Sequence, residues 1–103
     1  MFQKEWIDFI NDISGRLKEL DGNTEILARI AKMTEEVGEF AGAAMLSMGY
    51  GRKSKIDSFD PKNLTEEFGD VVITACLLAR ELGLDLNAAL SARKSEISLR
   101  WAA

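Results

Sequence analysis

The chain has 103 residues, with 13 basic and 17 acidic side chains and a net charge of −4, which predicts one small domain spanning the whole sequence. Hydrophobic residues at 47% and charged residues at 29% exclude the disordered and low-complexity classes. One proline and eight glycines argue against a turn-rich β-sandwich, and the longest apolar run, around residues 71–79, is too short to cross a membrane.

The cysteine content and the first twenty residues predict a cytoplasmic location. Cys76 is the single cysteine and has no partner for an internal disulfide, which fits a reducing compartment. Charged residues interrupt the first twenty positions, so these positions do not form the apolar core of a signal peptide.

The negative charge is concentrated in two short segments. Residues 35–39 and 66–70 hold six of the 17 acidic residues, and the remainder of the chain is slightly basic. This weak positive charge gives little support for binding a nucleic-acid polymer. Because the chain also lacks histidine, a metal site here would use oxygen ligands, which favours Mg²⁺ or Mn²⁺.

Hydrophobic spacing predicts an all-α, four-helix bundle-like domain. The first helix covers residues 3–20, and the second runs from an N-cap at Asn23 to residues 49–51. Residues 71–74 taken alone resemble a strand, but helix-start and helix-stop signals flank the longer apolar segment. The second helix carries an apolar stripe formed by Ile26, Ile30, Thr34, Val37, Ala41, Ala44 and Met48.

Residues 49–63 form the one long predicted connection. Asn63 followed by Glu66 resembles a capping box that opens the third helix, Gly83 ends that helix, and Asp85 caps the fourth. Since the third helix is apolar on nearly all sides, we expect the chain to assemble into a homo-oligomer. The basic residues of the connection are Arg52, Lys53 and Lys55, which are either phosphate contacts or a solvated surface.

Two pairs of acidic residues have the spacing of one helical turn. Glu36 and Glu39 share one side of the second helix, and Glu67 and Asp70 share one side of the third. If these helices are antiparallel, the four carboxylates converge, and like charges at that distance oppose folding unless a cation lies between them. The pattern therefore predicts a Mg²⁺ site.

A glycine lies inside each acidic segment, at Gly38 and at Gly69. Glycine within a helix costs about 1 kcal/mol relative to alanine. The matching positions predict that the two helices approach closely at the acidic site.

Taken together, Glu36-Val-Gly-Glu39 and Glu67-Phe-Gly-Asp70 resemble the signature of the MazG-like family of all-α nucleoside triphosphate pyrophosphohydrolases. The resemblance covers about residues 24–101. It implies that the four carboxylates bind Mg²⁺, and that the chain hydrolyses a nucleoside triphosphate to the monophosphate and pyrophosphate in nucleotide-pool house-cleaning. It also implies a homodimer or homotetramer.

The resemblance further implies substrate contacts near the C-terminus. Lys94 corresponds to a phosphate ligand, Arg100 and Trp101 follow in the same pattern, and Ser98 stands where the family often has asparagine. On the second helix, Lys32 is a further candidate phosphate contact, and either Glu35 or a motif glutamate is the candidate proton acceptor for the attacking water. Trp101 and Trp6 could stack on a base, although core packing is the favoured interpretation of Trp6.

Two other functions remain open on the sequence. The chain could be a non-catalytic helical module whose acidic patch docks a basic partner. Alternatively, it could be a phosphoribosyl-ATP pyrophosphohydrolase, which shares the carboxylate arrangement.

Overall fold

A computed structural model describes residues 2–22 and 25–102, and all regular structure in these residues is helical. There are five described helices: α1 (Lys4–Asp21), α2 (Glu25–Ser47), α3 (Lys53–Asp57), α4 (Pro61–Glu81) and α5 (Leu86–Ala102). The all-α prediction is confirmed, and residues 71–74 are helical. The expected number of helices was wrong, because a short helix, α3, interrupts the connection between α2 and α4. The predicted N-cap Asn23 lies outside the described residues.

Local capping chemistry explains the end of α1, the end of α4 and the start of α5. Gly22 ends α1 with φ +61° and donates its N–H to the carbonyl oxygen of Lys18. After α4, Gly83 has φ +75°, and the Leu84 N–H donates to the carbonyl oxygen of Ala79, which is the hydrogen bond of a Schellman motif. At the start of α5, Asp85 Oδ1 accepts the N–H of Ala88 at 2.9 Å. The predictions for Gly83 and Asp85 are confirmed.

The predicted N-cap of the third helix, Asn63, was wrong by three residues. Helix α4 begins at Pro61, where proline fits the first turn because it lacks an N–H that the turn would leave unpaired. Asp60 is the N-cap, and its Oδ1 accepts the N–H of Lys62 at 3.0 Å. Asn63 therefore lies inside the first turn of α4 and does not cap it.

Helices α1, α2 and α4 form the packed part of the fold. Late residues of α2 lie beside early residues of α4, because Leu46 and Asn63 line one cleft, so these two helices are antiparallel. Helix α1 runs parallel to α4: Arg80 Nε donates to Asn11 Oδ1 at 2.6 Å, and Ser14 donates a hydrogen bond to Glu81. The buried centre of this core consists of Ile10, Cys76 and Leu77.

Helix α5 is not part of a four-helix bundle within this chain, which corrects the predicted architecture. Leu86 packs against the core, and the Phe2 N–H donates to Asn87 Oδ1 at 2.9 Å, but every described residue from position 88 onward is exposed. The radius of gyration is 16.7 Å, compared with about 13 Å for a compact domain of this length.

The apolar stripe of α2 does not pack on another helix of the same chain. Ile30 and Val37 are 46% and 44% exposed, whereas Glu36 and Ala43 on another side of α2 are buried. Helix α2 therefore meets α4 through the side that carries the acidic residues. The accessible area of 7651 Å² exceeds the value of about 5,800 Å² expected for a compact chain of this mass by about a third.

None of the described helices combines the length and the apolar character needed to cross a membrane.

Candidate active site

The acidic residues of α2 and α4 meet where the two antiparallel helices face each other. Carboxylate oxygens of Glu36, Glu67 and Asp70 lie within 4.8 Å of one another, and so do those of Glu35, Glu36 and Glu39. Glu36 belongs to both groups and joins them. We call these five residues the carboxylate cluster. It brings together the four predicted metal ligands and the candidate proton acceptor.

Glu36 is the buried member of the carboxylate cluster, with 6% of its surface exposed. Its Oε1 lies 3.2 Å from Lys32 Nζ, but its Oε2 is buried and has no hydrogen-bond partner within residues 2–22 and 25–102. Oε2 of Glu67 is also buried and unpartnered. Since a buried carboxylate oxygen without a partner is costly, a bound cation or a further hydrogen-bond donor would stabilise both atoms.

Neighbouring charges shift the pKa of two side chains at the cluster, Glu39 and Lys32. The charge of Glu36 raises the pKa of Glu39 above its ordinary value, and burial together with the charges of Glu67 and Glu35 raises it further. Hydrogen bonds to Glu36 and then Glu35 raise the pKa of Lys32, so its ammonium is held protonated between them. One lysine does not neutralise five carboxylates, so like charges remain close together in the cluster.

Oxygen ligands contributed by two rigid helices fit a hard divalent cation. Glu36, Glu39, Glu67 and Asp70 would hold Mg²⁺ or Mn²⁺, with Glu36 shared between the two carboxylate groups. Next to them, the rings of Phe40 on α2 and Phe68 on α4 pack with their centroids 5.5 Å apart.

The glycines of the acidic segments do not have the predicted packing role. A Cβ atom added at Gly38 or Gly69 would meet no atom of another element within 4 Å. The helices meet through side chains, so the prediction that these glycines permit close approach was wrong for a single chain.

The predicted substrate contacts are divided between two parts of the molecule. Lys32 lies beside the carboxylate cluster, whereas Lys94, Arg100 and Trp101 are exposed on α5. Within one chain, these three residues are not brought to the cluster.

Trp6 is half exposed, so the core interpretation of this residue was wrong. Its ring packs edge-on against Phe9, with the ring centroids 6.2 Å apart, and it lines an apolar cleft of about 480 Å³ together with Phe68 and Gly69. Periodicity could not reveal this, because it assigns residues to a face without showing whether another element covers that face.

The sequence did not predict a second cleft, which adjoins the carboxylate cluster at Glu39 and Glu67. Glu39 and Glu67 line it together with Tyr50, Arg52 and Lys55, and its volume is about 470 Å³. The basic cluster in the connection was the only signal in the sequence.

A comparison with curated proteins found similarity to YpjD of Bacillus subtilis (strain 168), which is described as an uncharacterized protein. The two sequences are 39% identical over 75 residues, which amount to 73% of this chain. The match spans 64% of the length of YpjD. No protein-family model matches the chain, and no solved structure matches it.

Proposed function

We propose that the protein is a Mg²⁺-dependent nucleoside triphosphate pyrophosphohydrolase of the MazG-like type. The main support is Oε2 of Glu36, which is buried and has no hydrogen-bond partner among the described residues, in a side chain that belongs to both carboxylate groups of the cluster. A solvated acidic surface has no reason to bury a carboxylate oxygen without a donor. In a cation site, a buried carboxylate oxygen is expected, because the bound ion becomes its partner.

In the proposed reaction, the oxygen of a water molecule forms a bond to the α-phosphorus, and the bond between that phosphorus and the α–β bridging oxygen breaks. Pyrophosphate leaves with the bridging oxygen, and the nucleoside monophosphate keeps the oxygen of the water. When bound, Mg²⁺ would neutralise phosphate charge and stabilise the charge that develops in the transition state. The carboxylate cluster excludes a triphosphate that arrives without such a cation.

The chain's own residues divide the remaining roles. Glu35 is exposed and lies on the edge of the cluster, where it can accept the proton of the attacking water. Lys32 holds Glu35 and Glu36 at 3.4 and 3.2 Å, and so orients both carboxylates. Its ammonium is also available to a phosphate oxygen, since it is half exposed.

Assembly of the chain into a homodimer or homotetramer is part of the proposal. The uncovered apolar stripe of α2 and the unpacked helix α5 both support it. In such an assembly, α5 of one copy can lie beside the carboxylate cluster of another. Lys94, Arg100 and Trp101 could then contact the substrate.

The test is to measure product release from all common ribo- and deoxyribonucleoside triphosphates and from phosphoribosyl-ATP, with Mg²⁺ and with Mn²⁺. Pyrophosphate and orthophosphate are quantified separately. Pyrophosphate with an equal amount of monophosphate supports the proposal, and the panel ranks the substrates. Orthophosphate would mean that a different bond is cleaved. If no compound is turned over, the proposed activity is wrong and the docking module becomes the better interpretation.

A further inference from the structure

Two basic residues line the cleft that adjoins the carboxylate cluster. The cleft has a volume of about 470 Å³, and both Glu39 and Glu67 contribute to its lining. Arg52 and Lys55 approach it from the connection between α2 and α4. One open cleft therefore joins a cation-attracting region to an anion-attracting region.

Arg52 and Lys55 differ from their basic neighbours in having no acidic partner in the described part of the chain. Within residues 2–22 and 25–102, neither side chain forms an ion pair, and both are exposed. Other basic residues of the same surface are paired, since Lys62 Nζ lies 3.6 Å from Glu66 Oε1 and Lys32 binds Glu36. The two unpaired cations can therefore bind an anion without first breaking an ion pair.

The connection holds these cations on structured backbone. Helix α3 begins directly after Arg52, and the Lys55 N–H donates to the carbonyl oxygen of Arg52 at 3.0 Å. Half-buried Ile56 anchors the helix. Positions 52 and 55 are three residues apart, which places them on the same side of this turn, whereas Lys53 does not line the cleft.

Gly51 sets the direction in which the chain enters α3. Its φ of +145° is a conformation that residues with a Cβ rarely adopt, and a Cβ atom there would lie 2.7 Å from Leu46 Cδ2. Arg52 follows this close approach to α2 directly in the chain and lines the cleft together with Glu39 and Glu67.

We propose that Arg52 and Lys55 bind the β- and γ-phosphates of the substrate, the part that leaves as pyrophosphate. This inference rests on the proposed function, which requires the α-phosphate to lie at the carboxylate cluster. The nucleoside and the two terminal phosphates then extend in opposite directions. The terminal phosphates carry most of the negative charge, so the cleft that contains unpaired cations is the one that accommodates them.

The experiment measures binding of inorganic tripolyphosphate to the whole protein by titration calorimetry in Mg²⁺. The variant carries both Arg52→Gln and Lys55→Gln, and Lys53→Gln is the matched control on the same helix. We expect the double variant to bind tripolyphosphate about tenfold to a hundredfold more weakly, because two charge-assisted contacts are lost. The control should bind as the unaltered protein does.

Steady-state kinetics distinguish a failure of this inference from a failure of the proposed function. With a nucleoside triphosphate, the double variant should raise KM by a similar factor and change kcat little, and inhibition by pyrophosphate should weaken in parallel. Normal turnover with unchanged KM and unchanged pyrophosphate inhibition would overturn the role of Arg52 and Lys55 while leaving the activity intact. If the unaltered protein turns over no nucleotide, the proposed function fails. The calorimetry still decides the phosphate site, which is rejected if tripolyphosphate does not bind or binds the double variant equally well.

Discussion

Lys32 and Glu36 form an ion pair one helical turn apart on α2, with Lys32 Nζ 3.2 Å from Glu36 Oε1, and this pair satisfies only one oxygen of the buried carboxylate. The other oxygen is buried and has no hydrogen-bond partner among the described residues. The metal-free chain therefore keeps a buried negative charge among like charges, and that arrangement reduces its stability.

The Glu36→Gln variant should lose turnover without losing the stability of the metal-free protein. Glutamine keeps an oxygen for Lys32 but removes the buried charge. We expect turnover to fall by about two orders of magnitude or more, while the melting temperature in EDTA stays equal or rises. Turnover assays and thermal unfolding monitored by circular dichroism give the two readouts.

The control for this variant is Glu66→Gln. Glu66 precedes Glu67, is exposed, and belongs to neither carboxylate group. Its replacement should leave turnover nearly unchanged. A large drop in the stability of the metal-free Glu36→Gln protein would contradict the repulsion argument.

Divalent cations should stabilise the protein specifically. A ligand that binds only the folded state, at a hundredfold excess over its Kd, adds about 2.7 kcal/mol to the free energy of unfolding. For a domain of this size, that corresponds to a rise of roughly ten degrees or more in melting temperature. The measurement compares Mg²⁺ or Mn²⁺ with NaCl at equal ionic strength, and Asp70→Asn should reduce the rise. An equal response to NaCl would favour a docking patch over a metal site.

The sequence predicted those features that depend on neighbouring residues. Gly83 and Asp85 act within one helical turn, so their residue types are enough to identify the end of α4 and the start of α5. The carboxylate cluster was also predictable, because one-turn spacing and an antiparallel pair of helices bring Glu36 and Asp70 together.

Features that depend on distant packing were not predictable. Periodicity identifies the α2 stripe around Val37 but does not show which helix, or which copy of the chain, covers it. The five residues of α3 are too few to give a periodic signal. Arg52 and Lys55 consequently had two open interpretations until the cleft beside Glu67 was known.

The contact between α1 and the end of α4 should make stability depend on acid pH. The hydrogen bond from Ser14 lowers the pKa of Glu81, and the charges of Arg80 and Lys18 act in the same direction, while burial opposes them. A carboxyl group whose folded-state pKa is lowered stabilises the protein above its unfolded-state pKa. This contribution is lost as the pH falls from about 4.5 through the lower folded-state value.

The Ser14→Ala variant tests this contribution. Near pH 7, we expect its free energy of unfolding to be about 1–2 kcal/mol lower than that of the unaltered protein. The difference should shrink as the pH falls below the range in which Glu81 is ionised. Urea unfolding at a series of pH values measures both effects. A difference that stays constant down to the lowest pH would mean that Ser14 acts through packing alone.

The exposed apolar stripe of α2 predicts that the chain associates with itself. Stable interfaces bury about 1,200–2,000 Å² in total, and Ile30 and Val37 leave an apolar surface that the chain does not cover. We expect sedimentation at micromolar concentration to give a multiple of the 11.4 kDa chain mass. A variant with both Ile30→Lys and Val37→Lys should shift toward the monomer, because burying the new charges in an interface is costly.

Leu20→Lys is the matched control for this shift. Leu20 is 80% exposed at the end of α1, is not part of the stripe, and receives the same kind of charge. Its sedimentation should match that of the unaltered protein. If the unaltered chain sediments as an 11.4 kDa monomer at micromolar concentration, the assembly proposal is wrong. The residues of α5 would then have no route to the carboxylate cluster without a rearrangement of that helix.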